Sequence, residues 1–141
     1  MNNLRGISNK IDKALDQLYE KDAYLICFND KFHVSERSIT HKLGGYLARL
    51  FESYDVDCDY NRFGYEGKVV EKLKQNVIPD IIIHKRGQCN NFIAIEVKTW
   101  WNKSKVSVDK DKLIELTKSK YSYKYGISLV ILMLITINNR K

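Results

Sequence analysis

Two short runs rich in β-branched residues constrain the fold of this chain more than any other feature of its sequence. They cover residues 80–84 and 92–98, and a polar segment with one glycine, residues 86–91, separates them. This pattern predicts a β-hairpin. A turn centred between Gln88 and Cys89 sets Asp80 opposite Val97, next to both Glu96 and Lys98. We therefore expect three polar side chains to meet at one end of the hairpin.

The second strand of this hairpin is predicted to carry different chemistry on its two faces. Strand alternation places Glu96 and Lys98 on one face with Ala94, and the aliphatic residues between them point the other way. We expect the aliphatic face to be packed in the core. The polar face is expected to line a cleft that is open to solvent.

Apolar spacing in the rest of the chain predicts an α/β sandwich with a central mixed β-sheet flanked by helices. A serine cap at Ser35 marks the start of one helix, and Gly44 with Gly45 inside it indicates close approach of another backbone. Helices are predicted over residues 9–20, from Ser35 to about 51, and from Asp109 to about 120. Further strands are predicted over residues 23–28, 54–60 and 127–137.

Composition narrows the classes of protein to consider. The chain has 141 residues, 44% of them hydrophobic, with one proline and seven glycines, so residues 1–141 are expected to form one domain. Three cysteines without metal-ligand spacing favour a reducing compartment. The first residues lack the apolar core of a signal peptide, and the longest apolar run, residues 127–137, is too short to span a bilayer. We expect a cytoplasmic protein with no membrane association.

The charge of the chain favours an anionic partner. Lys and Arg number 24 against 17 Asp and Glu, a net charge of +7, and residues 98–124 hold eight lysines against three acids. This stretch directly follows the hairpin, so we expect it to contact a phosphate backbone; the alternative is a solvated helix face. The candidate nucleic-acid-binding residues are Lys103, Lys105, Lys110 and Lys112.

The polar end of the hairpin suggests phosphodiester hydrolysis. Two carboxylates as close as Asp80 and Glu96 raise each other's pKa unless a cation lies between them, and Mg²⁺ or Mn²⁺ suits oxygen ligands. Such an ion activates water and neutralises phosphate oxygens, and Lys98 can hold that water or stabilise the developing charge. Glu-x-Lys alone is unspecific, because Glu66-Gly67-Lys68 repeats it. The alternative is a surface hairpin that ends in an ion pair.

Pro79-Asp80 followed by Glu96-Val97-Lys98 resembles the PD-(D/E)xK nuclease superfamily, whose fold is restriction-endonuclease-like. The stretches SERSITHKLGGYLARLF, VDCDYNR, PDIIIHKRG and FIAIEVK also resemble small uncharacterised bacterial or phage members, and the resemblance covers residues 30–135. It implies that Asp80 and Glu96 bind the metal, with the carbonyl of Val97. It also implies that Lys98 assists the nucleophile and that a helix supplies a further acid, best matched by Glu36.

Several residues have two interpretations. Glu36 is either the third acid or an exposed acid favoured by the helix dipole, and Glu52 is the other helix acid. His84 and His41 either approach the site or are structural or surface residues. His33 is expected to be a structural or surface residue. Trp100 and Trp101 either stack on bases, form a dimer contact or pack in the core.

The resulting hypothesis is a Mg²⁺- or Mn²⁺-dependent nuclease, an endonuclease or exonuclease, acting on DNA rather than RNA. It works as a homodimer or as a subunit of a larger bacterial or phage assembly. One alternative is a nucleic-acid-binding or structural subunit that does not cleave, and a weaker one is an enzyme like a Holliday-junction resolvase. The sequence leaves the substrate structure, the site preference and the biological pathway open.

Overall fold

A computed structural model of the chain describes residues 3–27, 34–60, 69–70, 75–76, 78–104, 106–118 and 120–133. The helices are α1 (Leu4–Lys21), α2 (Ala23–Ile26), α3 (Glu36–Leu50) and α4 (Val106–Lys118). The strands are β1 (Asp55–Cys58), β2 (Val69–Val70), β3 (Gln75–Asn76), β4 (Ile81–Lys85), β5 (Asn90–Thr99) and β6 (Tyr125–Ile131). In these ranges, no helix combines the length and apolar character needed to cross a membrane.

The central feature is a four-stranded sheet in the order β1-β4-β5-β6. Strand β4 runs antiparallel to both β1 and β5, whereas β6 runs parallel to β5. A separate antiparallel pair joins β2 and β3. The prediction of an α/β fold with a mixed sheet flanked by helices is therefore confirmed.

Side-chain caps mark the starts of the two long N-terminal helices, and only the cap of α3 was predicted. The side chain of Asn3 accepts a hydrogen bond from the Gly6 N–H at 2.8 Å, so α1 begins earlier than the predicted residue 9. Ser35 caps α3 and accepts from the Ser38 N–H at 3.2 Å, as predicted. The apolar stripe of α1, which includes Ile11 and Leu18, is buried against the core.

The prediction of a strand over residues 23–28 is wrong. Ala23–Ile26 forms the short helix α2, because the Leu25 N–H closes a turn onto the Asp22 carbonyl at 2.9 Å. Only Ile26 of this helix is buried, and Tyr24 is 88% exposed. A short apolar run does not fix the period of its backbone. Phe28 and residues 134–137 of the last predicted strand lie outside the described residues.

The hairpin is confirmed, but its predicted register is wrong by one residue. Ile81 pairs with Ile95 and Ile82 with Ala94, so the ladder continues with Asp80 level with Glu96 rather than with Val97. A β-bulge between Ile83 and His84 shifts the register near the turn. Next to the turn Lys85 pairs with Asn90, so the turn is centred between Gly87 and Gln88, one residue before the predicted centre, and the bulge offsets part of that error.

Helices cover both faces of the sheet. The odd-numbered residues of β5, such as Ile93 and Ile95, belong to the core beneath α1 and α3. Ala94 and Ile82 belong to a second core with Leu113 and Leu116 of α4. The alternation of faces is confirmed, but the expectation of an open polar face is wrong because α4 packs on it.

Close packing accounts for one of the two glycines in α3. A Cβ added at Gly44 would lie 2.6 Å from the Sγ of Cys58 on β1, whereas one at Gly45 would meet nothing within 4 Å. Gly44 is therefore closely packed, but against the side chain of Cys58 rather than the predicted backbone. This contact packs α3 against β1, the strand next to β4.

Candidate functional site

Asp80 and Glu96 lie side by side at one end of the β4–β5 hairpin. Asp80 immediately precedes β4, and its Oδ2 accepts a hydrogen bond from the Val97 N–H at 2.7 Å. Glu96 is on β5 and is only 5% exposed. The side chain of Val97 points into the core beneath α1 and α3. The predicted pairing of the two acids is therefore present in the fold, and a backbone N–H orients one of them.

Both carboxyl groups of this pair have raised pKa values. Burial and the adjacent charge of Asp80 raise the pKa of Glu96 to about 8, although Lys112 opposes the shift. Burial likewise raises the pKa of Asp80, against the hydrogen bonds from Val97 and Glu96 and the charge of Lys112. Two buried acids with raised pKa values indicate that the pair has less positive charge around it than two carboxylates require.

Lys98 does not face solvent, so the expectation of a lysine on an open cleft is wrong. Its Nζ lies 2.8 Å from Asp109 Oδ2 and donates to Ser104 Oγ at 2.6 Å. Asp109 is in the first turn of α4, and α4 covers this face of β5. Lys98 therefore connects the end of β5 to the start of α4.

Glu36 is close to the acid pair, but its oxygens bond to other groups. Its Oε2 accepts from the Thr99 N–H at 3.0 Å, from the Thr99 Oγ1 at 2.8 Å and from the Asn102 Nδ2 at 3.0 Å. Burial works against ionisation, yet these hydrogen bonds and the charge of Lys98 lower its pKa. Its charge contributes to the raised pKa of Asp80. Glu36 thus joins α3 to the turn after β5, beside the pair.

A cavity of about 780 Å³ lies between the first turns of α3 and the ends of β1 and β4. Asp80 and Glu36 are on its wall, so one member of the acid pair is accessible from this side. Charged and polar residues of α3 and β1 form much of the remaining wall: Arg37, His41, Lys42 and Asp59. The arrangement gives a solvent-filled entrance to Asp80 on the α3 side of the hairpin, away from α4.

Asp80 and Glu96 offer carboxylate oxygens, the donors that a hard divalent cation prefers. In the described ranges, no three His, Cys, Asp or Glu side chains converge as a metal-ligand group. Asp80 and Glu96 do converge, and Mg²⁺ is commonly held by one or two carboxylates while it keeps several waters. Lys112 compensates the charge of the pair only in part, because both pKa values stay raised, so Asp80 and Glu96 could hold Mg²⁺ or Mn²⁺.

The remaining candidate residues lie elsewhere. The Nε2 of His84 is 2.6 Å from Asp57 Oδ2, and Arg86 pairs with the same carboxylate, so His84 is structural. Trp100 and Trp101 make an edge-to-face contact and pack against the core beneath α1 and α3. Glu52 is exposed beyond the end of α3. Outside the described residues lie two further candidates, His33 and Lys105.

Sequence reasoning missed the role of α4 in this site. Lys112, predicted as a nucleic-acid contact, has its Nζ 2.8 Å from Glu96 Oε1. Asp109, where the helix was predicted to begin, lies in the first turn of a helix that begins at Val106, and it binds Lys98. Asp109 and Lys112 are three residues apart and therefore lie on the same helix face. This spacing was the sequence signal that both could face the hairpin. Lys103 and Lys110 are exposed, as nucleic-acid contacts require.

Comparisons with family models, curated proteins and solved structures give no match.

Proposed function

We propose that this chain is a metal-dependent phosphodiesterase that hydrolyses nucleic acid, DNA rather than RNA. The observation that supports this proposal most is the buried Asp80–Glu96 pair, whose pKa values are both raised and which adjoins an open cavity. Structural ion pairs gain nothing from two acids placed together in a low-dielectric site. A site that takes up a divalent cation requires that arrangement.

The fold supports membership of the PD-(D/E)xK superfamily as part of the proposal. The motif occupies the start of β4 and the end of β5, neighbouring antiparallel strands in the middle of a mixed sheet. α3 carries Glu36 to the same end of these strands. This placement is what a restriction-endonuclease-like fold requires of a Pro-Asp, Glu-x-Lys motif and an acid from the preceding helix.

In the proposed mechanism, Asp80 and Glu96 would hold Mg²⁺ or Mn²⁺. The resemblance implies that the backbone carbonyl of Val97 would be a further ligand. When bound, such an ion supplies a Lewis acid that neutralises phosphate oxygens and makes water a stronger nucleophile at neutral pH. The Val97 N–H orients Asp80 at 2.7 Å. Glu36 fixes the turn after β5 through Thr99 and so holds the end of the motif strand in place.

The cavity supplies a route for the substrate. A phosphate backbone that enters along α3 reaches Asp80 with Arg37, His41 and Lys42 on the wall. The exposed Lys103 and Lys110 lie on the segment after β5 and give a second basic surface. A binding module that does not cleave is less well supported, because buried acids facing an entering phosphate would weaken binding. A homodimer or a subunit of a larger assembly stays a prediction, as does a resolvase-like activity.

Incubation with defined substrates tests the proposal. The purified chain is mixed with single-stranded, duplex and branched DNA and with RNA, each in the presence of Mg²⁺, Mn²⁺ or EDTA. We expect cleavage of a DNA substrate with either metal and none in EDTA. Preferred cleavage of branched DNA supports the resolvase-like reading. Tight binding without cleavage of any substrate under all conditions contradicts the enzyme and favours the binding module.

A further inference from the structure

Two lysines approach the polar end of the hairpin, and their contacts differ. Lys98 binds Asp109 and Ser104, and its side chain is only 8% exposed. Lys112 lies 2.8 Å from Glu96 Oε1 with a side chain that is 21% exposed. Lys98 is therefore paired with a carboxylate outside the acid pair, whereas Lys112 is paired with a member of it.

The electrostatic effects of the two lysines follow the same division. Burial raises the pKa of both Asp80 and Glu96, and the charge of Lys112 opposes the shift at each. Lys98 acts on Glu36, where it adds to the effect of the hydrogen bonds. The cation that compensates the acid pair comes from α4 and not from the motif strand.

The position of α4 explains why one helix serves both contacts. Asp109 and Lys112 are three residues apart, so they lie on the same face of the helix. Leu113 and Leu116 anchor that helix in the core beside Ala94. Moving Lys98 toward the acid pair would leave Asp109, whose side chain is 19% exposed, without this partner. A partly buried carboxylate without a cation is unfavourable, and this opposes the movement.

We propose that Lys112, rather than Lys98, is the lysine that serves the Asp80–Glu96 pair, an assignment that rests on the proposed phosphodiesterase function. Lys112 is a positioning residue: from the α4 side of β5 it holds Glu96 in place through the 2.8 Å contact between its Nζ and Glu96 Oε1. Lys98 instead fastens the start of α4 to β5. The motif lysine and the functional lysine are then different residues.

Single substitutions separate the two roles. Lys112→Met is compared with Lys98→Met and with Lys118→Met, a control at an exposed lysine of the same helix. We expect Lys112→Met to slow cleavage by about 10- to 100-fold, the usual effect of losing a residue that holds a metal ligand in place. Lys112→Arg should restore part of that rate. Lys98→Met should lower the melting temperature while its rate stays within tenfold of wild type, and Lys118→Met should change neither.

Calorimetric titration with Mn²⁺ gives a readout that does not depend on activity. A lysine 2.8 Å from a ligand oxygen repels a divalent ion more strongly than it repels a proton, since the repulsion scales with charge. Lys112→Met should therefore bind Mn²⁺ more tightly than wild type, although it cleaves more slowly. Lys112→Gln, which keeps a polar contact to Glu96, should behave in the same way if Lys112→Met does not fold.

The outcomes distinguish this assignment from the proposed function. If wild type cleaves and the neutral Lys112 variants cleave equally fast, or bind Mn²⁺ with wild-type affinity, the assignment is overturned and the phosphodiesterase stands. A folded Lys98→Met that has lost cleavage, beside an active Lys112→Met, also overturns it. If wild type cleaves no nucleic acid with either metal, the proposed function fails, and the role of Lys112 fails with it.

Discussion

Replacement of Glu96 by glutamine should stabilise the protein at alkaline pH in the absence of metal. Glu96 has a pKa of about 8 in the folded chain against 4.5 for an isolated glutamate. The folded state therefore keeps this proton to a higher pH than the unfolded state does. The contribution of Glu96 to the free energy of unfolding is fully present below pH 4.5 and is lost as the pH rises toward 8. Glutamine cannot ionise, so the Glu96→Gln variant avoids this loss.

The difference in pKa sets the size of the effect. At about 1.4 kcal/mol for each unit, it corresponds to at most about 5 kcal/mol in the free energy of unfolding. Water that enters as the pair ionises lowers this value, so we expect the gap between variant and wild type to widen by roughly 2–5 kcal/mol between pH 4.5 and 8. A loss of this size is a large fraction of the stability of a small domain.

Urea unfolding followed by circular dichroism, in EDTA at several pH values, measures this gap. Glu20→Gln, at an exposed glutamate of α1, is the matched control and should give a curve parallel to wild type. Millimolar Mg²⁺ or Mn²⁺ should narrow the gap, because the ion stabilises only the chain that binds it, by about 2.7 kcal/mol at one hundred times its dissociation constant. Parallel pH curves for Glu96→Gln and wild type would refute the reasoning.

Two further predictions concern packing and binding. Gly44→Ala should lower the free energy of unfolding by about 1–3 kcal/mol because its Cβ meets Cys58 Sγ. Gly45→Ala has open space around its Cβ and should raise the free energy of unfolding by about 0.5–1 kcal/mol. Denaturant melts measure both variants, and equal effects would contradict the packing described for α3. Reversal of Lys103 and Lys110 to Glu should weaken DNA binding and reduce the slope of log K against log salt by about two; an unchanged slope in fluorescence anisotropy titrations would show that the nucleic acid binds elsewhere.

The sequence predicts the hairpin and its acid pair because alternation and turn residues act locally. The cap at Ser35 likewise depends on neighbouring backbone groups, so the start of α3 follows from a short pattern, whereas α1 was predicted to begin at residue 9 and begins at Leu4. The register of the hairpin depends on where its turn is centred, and the polar residues between the strands do not mark the centre between Gly87 and Gln88 that the structure shows. Asp80 is adjacent to Glu96 under either register, so the acid pair is predicted despite this error.

The surroundings of Lys98 could not be predicted because they depend on tertiary packing. A lysine at a strand end in a motif is expected to be open to solvent, and only the docking of α4 places Asp109 beside it. The ion pair between Lys112 and Glu96 has the same origin. The short helix α2 differs from the predicted strand because four apolar residues fit either backbone, and the turn at Asp22 decides between them.

The rate of DNA cleavage as a function of Mg²⁺ concentration, for wild type and Asp80→Asn, tests the central claim most directly. Asp80 is the member of the acid pair that reaches the cavity, and asparagine keeps its shape without the charge. We predict a wild-type rate that saturates with Mg²⁺ and is abolished by EDTA, and a folded Asp80→Asn that is at least about 100-fold slower. Equal rates for the two proteins, or cleavage that persists in EDTA, would contradict the claim that Asp80 and Glu96 form a metal-dependent site.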